Sequence, residues 1–126
     1  MPLTDAGALA GAKLLIGDAQ TLFNNANARI GVGDSTTAFV KTQTDLIAAT
    51  NKLRKGMDTT FPTRSAATLT FRSTFATGEA NFPWQECGVF NAGPTGGEML
   101  NRKVESLGTK TAAQSWQFTV DLAVQS

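Results

Sequence analysis

The chain has no histidine and no tyrosine, and one cysteine, among 126 residues. Without histidine it lacks the commonest general base near neutrality, the usual zinc ligand and every histidine-containing triad. A lone thiol, Cys87, excludes an internal disulfide framework and a cysteine-only metal site. Set in an apolar run, it reads as a small buried hydrophobe. Net charge is also scarce, with 11 Lys and Arg against 10 Asp and Glu. That balance gives no global electrostatic warrant for nucleic acid or a membrane surface, and neither is expected as a partner. Long hydrophobic runs are missing: the stretch from Leu9 to Ile16 is short, is broken by Lys13 and lacks a charged leader. Neither a signal peptide nor a transmembrane segment is expected, and synthesis in the cytoplasm is. No cofactor and no metal is expected either.

What is present suits a small β protein. The apolar fraction of 41% is enough for a core, and 126 residues suit one domain. Threonine is abundant, and its branched side chain fits exposed strand positions. With few groups able to carry chemistry, the composition leans toward binding or assembly.

The first 26 residues read as a helical arm, with Leu3, Ala6 and Ala10 sharing a face and Asp18, Leu22 and Ala26 repeating at intervals of four. Thr4 or Asp5 caps its first turn, and the asparagines at 24, 25 and 27 end it. Ile30 and Val32 then alternate as a short strand that runs into a turn at Asp34. Residues 36–66 read as a threonine-rich loop or helical insertion, since Leu46, Ala49 and Leu53 fit one helical face. From Ala67 to Ala76, Leu69, Phe71 and Phe75 alternate with Thr68, Thr70, Arg72 and Thr74. A second extended segment carries Phe82, Trp84, Val89 and Phe90, with a bulge around Pro83 or Gly88. The turn Asn91 to Gly97 leads to a return strand from Met99 toward Val104, followed by a polar loop from Ser106 to Ala113. The clearest pattern is the last. Trp116, Phe118, Val120, Leu122 and Val124 alternate with Gln117, Thr119 and Asp121. Two-faced strands at this spacing predict a mainly β fold, an antiparallel β-sandwich of immunoglobulin-like or jelly-roll-like kind. It spans residues 28–126, with a short N-terminal helical arm over residues 1–27.

Few residues offer chemistry. Glu79 and Glu86 are the nearest to paired carboxylates, but an offset of seven puts them on opposite faces of a strand. Glu79 reads as a turn residue and Glu86 as part of an exposed rim, and no catalytic residue is expected. The glycine-rich stretch IGVGD lacks the spacing of a phosphate-binding loop. Lys52, Arg54 and Lys55 form a small basic cluster that reads either as solvated surface or as a contact for an acidic partner. Trp116 reads as core, whereas Trp84 is either core or an interface anchor.

Three phrases taken together resemble a family of small virion proteins of tailed bacteriophages, described as tail fibre-like, baseplate-associated or accessory structural proteins. They are RIGVGDST from Arg29 to Thr36, LTFRSTFATGEANFPWQECGVFNAG from Leu69 to Gly93, and GGEMLNRKV from Gly96 to Val104. The final strand from Trp116 resembles the family's closing strand, so the likeness runs from Arg29 to the C-terminus. The N-terminal arm and the threonine-rich passage before residue 67 depart from it. The resemblance implies an accessory structural protein of the virion, most simply a head decoration protein bound to the major capsid protein lattice as a homo-oligomer. A tail fibre or baseplate subunit, or a receptor- or carbohydrate-binding module, are the alternatives. Its implied contacts fall on Arg29, Asp34, Lys52, Arg54, Lys55, Glu79, Trp84 and Pro94.

Overall fold

A computed structural model describes residues 3–124, so the outermost residues of the expected arm and of the expected sandwich lie outside it. One helix, α1 (Asp5–Ile16), precedes seven strands: β1 (Arg29–Gly33), β2 (Lys52–Gly56), β3 (Thr63–Ser65), β4 (Thr68–Phe75), β5 (Pro83–Phe90), β6 (Met99–Thr109) and β7 (Trp116–Ala123). They form two antiparallel sheets packed against each other, ordered β2-β1-β5-β6 and β3-β4-β7. This is the β-sandwich that the alternating pattern predicts.

The core follows from period-two patterning. β7 pairs with β4 in unbroken register from Phe75 opposite Trp116 to Thr68 opposite Ala123. Val120 and Leu122 are thereby buried against Phe71 and Phe75, while Gln117, Thr119 and Asp121 stay in water. β1 departs from simple alternation because both of its faces are covered. Ile30 and Val32 join the core between the sheets, and Gly31 lies under Phe90 and Leu46 on the opposite face.

That opposite face shows what the passage after residue 36 does. Leu46, Phe90 and Met99 form a second apolar cluster there, so the irregular chain before Lys52 serves as a cover for the four-stranded sheet. The helix suggested by Leu46, Ala49 and Leu53 does not form. Leu46 is pulled onto the sheet, and Leu53 instead pairs with Val32 in β2. The expected loop or helical insertion thus contributes two strands, β2 and β3.

Two further expectations are corrected, and the choice left open for Trp84 falls to the core. The helical arm stops at Ile16 because Gly17 takes the left-handed conformation (φ 76°) and its N–H returns to the Leu14 and Lys13 carbonyls. Asp18, Leu22 and Ala26 therefore lie in irregular chain. The return strand β6 continues to Thr109, so Ser106 to Thr109 are strand and not loop. Trp84 is 1% exposed and occupies the core, edge-on to Phe75 (4.8 Å), Trp116 (5.0 Å) and Phe118 (5.7 Å). Its indole N–H donates to the Ala80 carbonyl at 3.0 Å, which satisfies the one polar atom it buries. It is not a surface contact. Trp84→Ala is expected to cost about 3–5 kcal/mol, measured by urea denaturation, because three aromatic side chains close on this one.

Candidate functional site

The strongest electrostatic feature lies inside the molecule. Glu86 on β5 and Arg102 on β6 are both fully buried, with Arg102 Nε donating to Glu86 Oε1 at 2.9 Å. The backbone N–H groups of Ile47 and Ala48 also donate to this carboxylate, each at 2.9 Å, and Ser35 N–H does so at 3.4 Å. The guanidinium reaches on to the Gln43 side-chain oxygen (3.1 Å) and the Thr37 carbonyl (2.9 Å). Gly33 leaves the space that the carboxylate fills; a Cβ there would collide with it. The expected exposed rim position for Glu86 is thus overturned. The pair stitches the covering chain to the sheet, and no water-facing carboxylate remains at residue 86. The sequence carried a faint signal for this: Glu86 stands within the otherwise uncharged run from Phe82 to Phe90.

The basic cluster is likewise paired within the chain. Arg54 stacks over the Phe90 ring at 3.6 Å, donates to the Ala92 and Gly96 carbonyls (2.8 Å each) and meets Asp45 at 3.3 Å. Lys52 pairs with the other oxygen of Asp45 at 3.2 Å. Burial pushes the Asp45 carboxyl up, but the Leu46 N–H, Lys52 and Arg54 together hold it below the ordinary carboxylate range. Lys55 spans both oxygens of Glu79 (2.9 and 2.8 Å) and is the main reason that the Glu79 carboxyl is held low, with the Ala76 N–H assisting. An acidic partner would have to displace internal acids to reach these cations.

The remaining contact candidates are scattered. Arg29 folds back on the Ala26 and Ala28 carbonyls (3.3 and 3.0 Å) and Asp34 accepts from Asn51 (2.8 Å). Pro94 is exposed, beside Lys52 and Arg54 on a groove of ≈ 280 Å³. The structure therefore brings together Lys52, Arg54 and Pro94, pairs Lys55 with Glu79, and leaves Arg29, Asp34 and the buried Trp84 apart. Lys110 was missed altogether. It is 1% exposed and clamps the turn after β4 through the Ala76 carbonyl (2.7 Å) and Asn81 Oδ1 (2.8 Å).

Exposed apolar surface is concentrated on the N-terminal helix. Thr4 caps it, its side chain accepting from Gly7 N–H at 2.9 Å and donating to the Met99 carbonyl. Gly7 lets α1 lie directly on the β6 backbone at Leu100. Only Gly7 and Ala10 are buried by this docking, so the helix's large side chains point elsewhere. Leu15 is 88% exposed, Ile16 77% and Leu9 56%. A mainly apolar groove of ≈ 440 Å³ beside the helix is lined by Leu14, Leu22, Phe23, Leu69, Leu122 and Val124, with Asn24 among them. Among the described residues no group of three or more Cys, Asp or Glu side chains is placed to hold a metal ion, and no helix is long and apolar enough to cross a membrane.

No known family model matches the chain, and no curated protein matches it.

Two outcomes follow from this geometry. Arg102→Met leaves the Glu86 carboxylate buried without its cation and is expected to destabilise by about 3–5 kcal/mol. Adding Glu86→Leu should recover only part of that loss, because the Ser35, Ile47 and Ala48 N–H groups then lack their acceptor. Denaturation curves, with limited proteolysis of residues 35–48, read both effects. Separately, burial pushes the Cys87 thiol up to about 11. The folded chain then holds that proton after the unfolded chain has released it. Its contribution to stability is complete below about pH 9 and is lost toward pH 11. Cys87→Ala should flatten the alkaline limb of stability against pH relative to the parent.

Proposed function

We propose that this chain is an accessory structural protein of a tailed-bacteriophage particle. In this reading it is a head decoration subunit that rests on the lattice of the major capsid protein through α1 and the apolar groove beside it. The observation that carries this reading is the outward apolar face of α1. A helix whose leucines and isoleucine face water buries almost none of its own hydrophobic area, and contact with another protein removes that cost. Many copies on a symmetric lattice make even a modest contact sufficient.

The phrases of residues 29–36, 69–93 and 96–104 that resemble phage virion proteins supply the class of partner. They fall on β1, β4, β5 and β6 and the turns between them, and so supply the framework on which α1 sits. The glycan-binding alternative loses its aromatic platform, because Trp84 lies in the core. The basic cluster, Glu79 and Glu86 are each occupied by internal partners, which moves the proposed contact away from them and onto the helix.

The test is particle binding. Leu15→Asp/Ile16→Asp alters two exposed side chains and should leave denaturation midpoints close to the parent. Each apolar side chain buried at a contact contributes about 1.5–3 kcal/mol. The double variant should therefore bind purified particles upward of about a hundredfold more weakly. Cryo-microscopy of the particle fixes the position: copies ordered over the shell support decoration, and copies confined to the tail tip would replace it with the baseplate version. Absence of the chain from purified particles would end both.

A further inference from the structure

The four edge strands of the sandwich differ in how they are protected. β3 is three residues long. β2 carries Lys52, Arg54 and Lys55. The start of β6 is capped by Leu3, which bridges Asn101, and its exposed part carries Lys103 and Glu105. Short length, charge and coverage are the devices that stop edges from pairing with another chain. β7 has none of them. It is eight residues, has no proline, lysine or bulge, pairs among the described residues only with β4, and bears one charge, Asp121. Clefts of ≈ 270 and ≈ 350 Å³ run along this side of the sandwich between β7 and β6, lined by the half-buried Trp116, Phe118 and Leu107.

The geometry points to β7 as the site at which two copies of this chain join edge to edge, giving one continuous six-stranded sheet. A two-fold axis normal to the sheet keeps each face on its own side, so side chains that meet must come from positions of the same parity. Centred on Thr119, the axis sets Gln117 opposite Asp121 of the second copy, twice over, on the wet face. On the inner face it sets Phe118 opposite Val120 and Trp116 opposite Leu122, the aromatic–aliphatic pairs that sheets favour. The Gln117 amide is a donor and the Asp121 carboxylate an acceptor, so the wet face is complementary to itself. Centred on Asp121, the same operation would place two like charges together, which disfavours that register. A second copy fits this edge better than an unrelated strand because its own side-chain pattern answers itself. The inference is independent of the phage assignment.

Sedimentation velocity over a range of concentrations tests it. The parent chain should show a reversible monomer–dimer equilibrium. Gln117→Glu sets carboxylate against carboxylate at both symmetric positions and should weaken the dimer about tenfold or more. Gln117→Glu/Asp121→Lys restores opposite charges and should recover it, and Gln117→Lys alone should tighten it. Both positions lie on the exposed face of β7, and far-UV circular dichroism checks that the sheet is retained. A parent chain that stays monomeric at every concentration overturns the proposal. A dimer indifferent to all three variants overturns it as well.

Discussion

The buried pair between Glu86 and Arg102 is the interaction on which the arrangement of this molecule depends. Two full charges removed from water are tolerated only where opposite charge and hydrogen bonds replace the lost hydration. Here the replacement comes from chain far away in sequence, at Ser35, Thr37, Gln43, Ile47 and Ala48. The cost of burying the charges therefore enforces the position of the covering segment, which would otherwise have little reason to lie on the sheet. Leu46 follows it into contact with Phe90 and Met99, and the outer face of the four-stranded sheet is closed.

That closure governs what is left for partners. Arg54, Lys52 and Lys55 turn their charge toward Asp45 and Glu79, and Lys110 turns its charge into the turn after β4. Charged side chains in this protein largely hold loops in place. The surfaces that remain open are apolar or backbone in character: the outer face of α1, the groove beneath it and the unpaired edge of β7. Contacts of those two kinds, hydrophobic burial and edge pairing, are the ones proposed for the particle lattice and for a second copy.

Legibility varied with the physics of each element. The strand over residues 116–123 was readable because one face is buried and one is wet, which writes the structure directly as alternation. β1 was legible as a strand, but the need for its glycines was not, because they make room for Phe90 and Glu86 across and beside the sheet. The helical spacing of Leu46, Ala49 and Leu53 misled because three apolar positions fit more than one geometry, and the deciding hydrogen bonds came from residue 86. Trp84 was open between core and surface on local grounds. Only Trp116 and Phe118, brought in by β7, settle it.

By itself the amino-acid sequence determined the class of fold, the burial of Cys87, the cap region of α1 and the scarcity of groups able to carry chemistry, since each of these depends on local pattern or on composition. Tertiary structure alone decided that Glu86 is buried, that the basic cluster is internally neutralised, that α1 faces outward with its leucines and that β7 is an open edge. Those outcomes rest on contacts between residues that are separated in sequence and brought together by the fold. No local pattern encodes which distant charge or strand will be the neighbour.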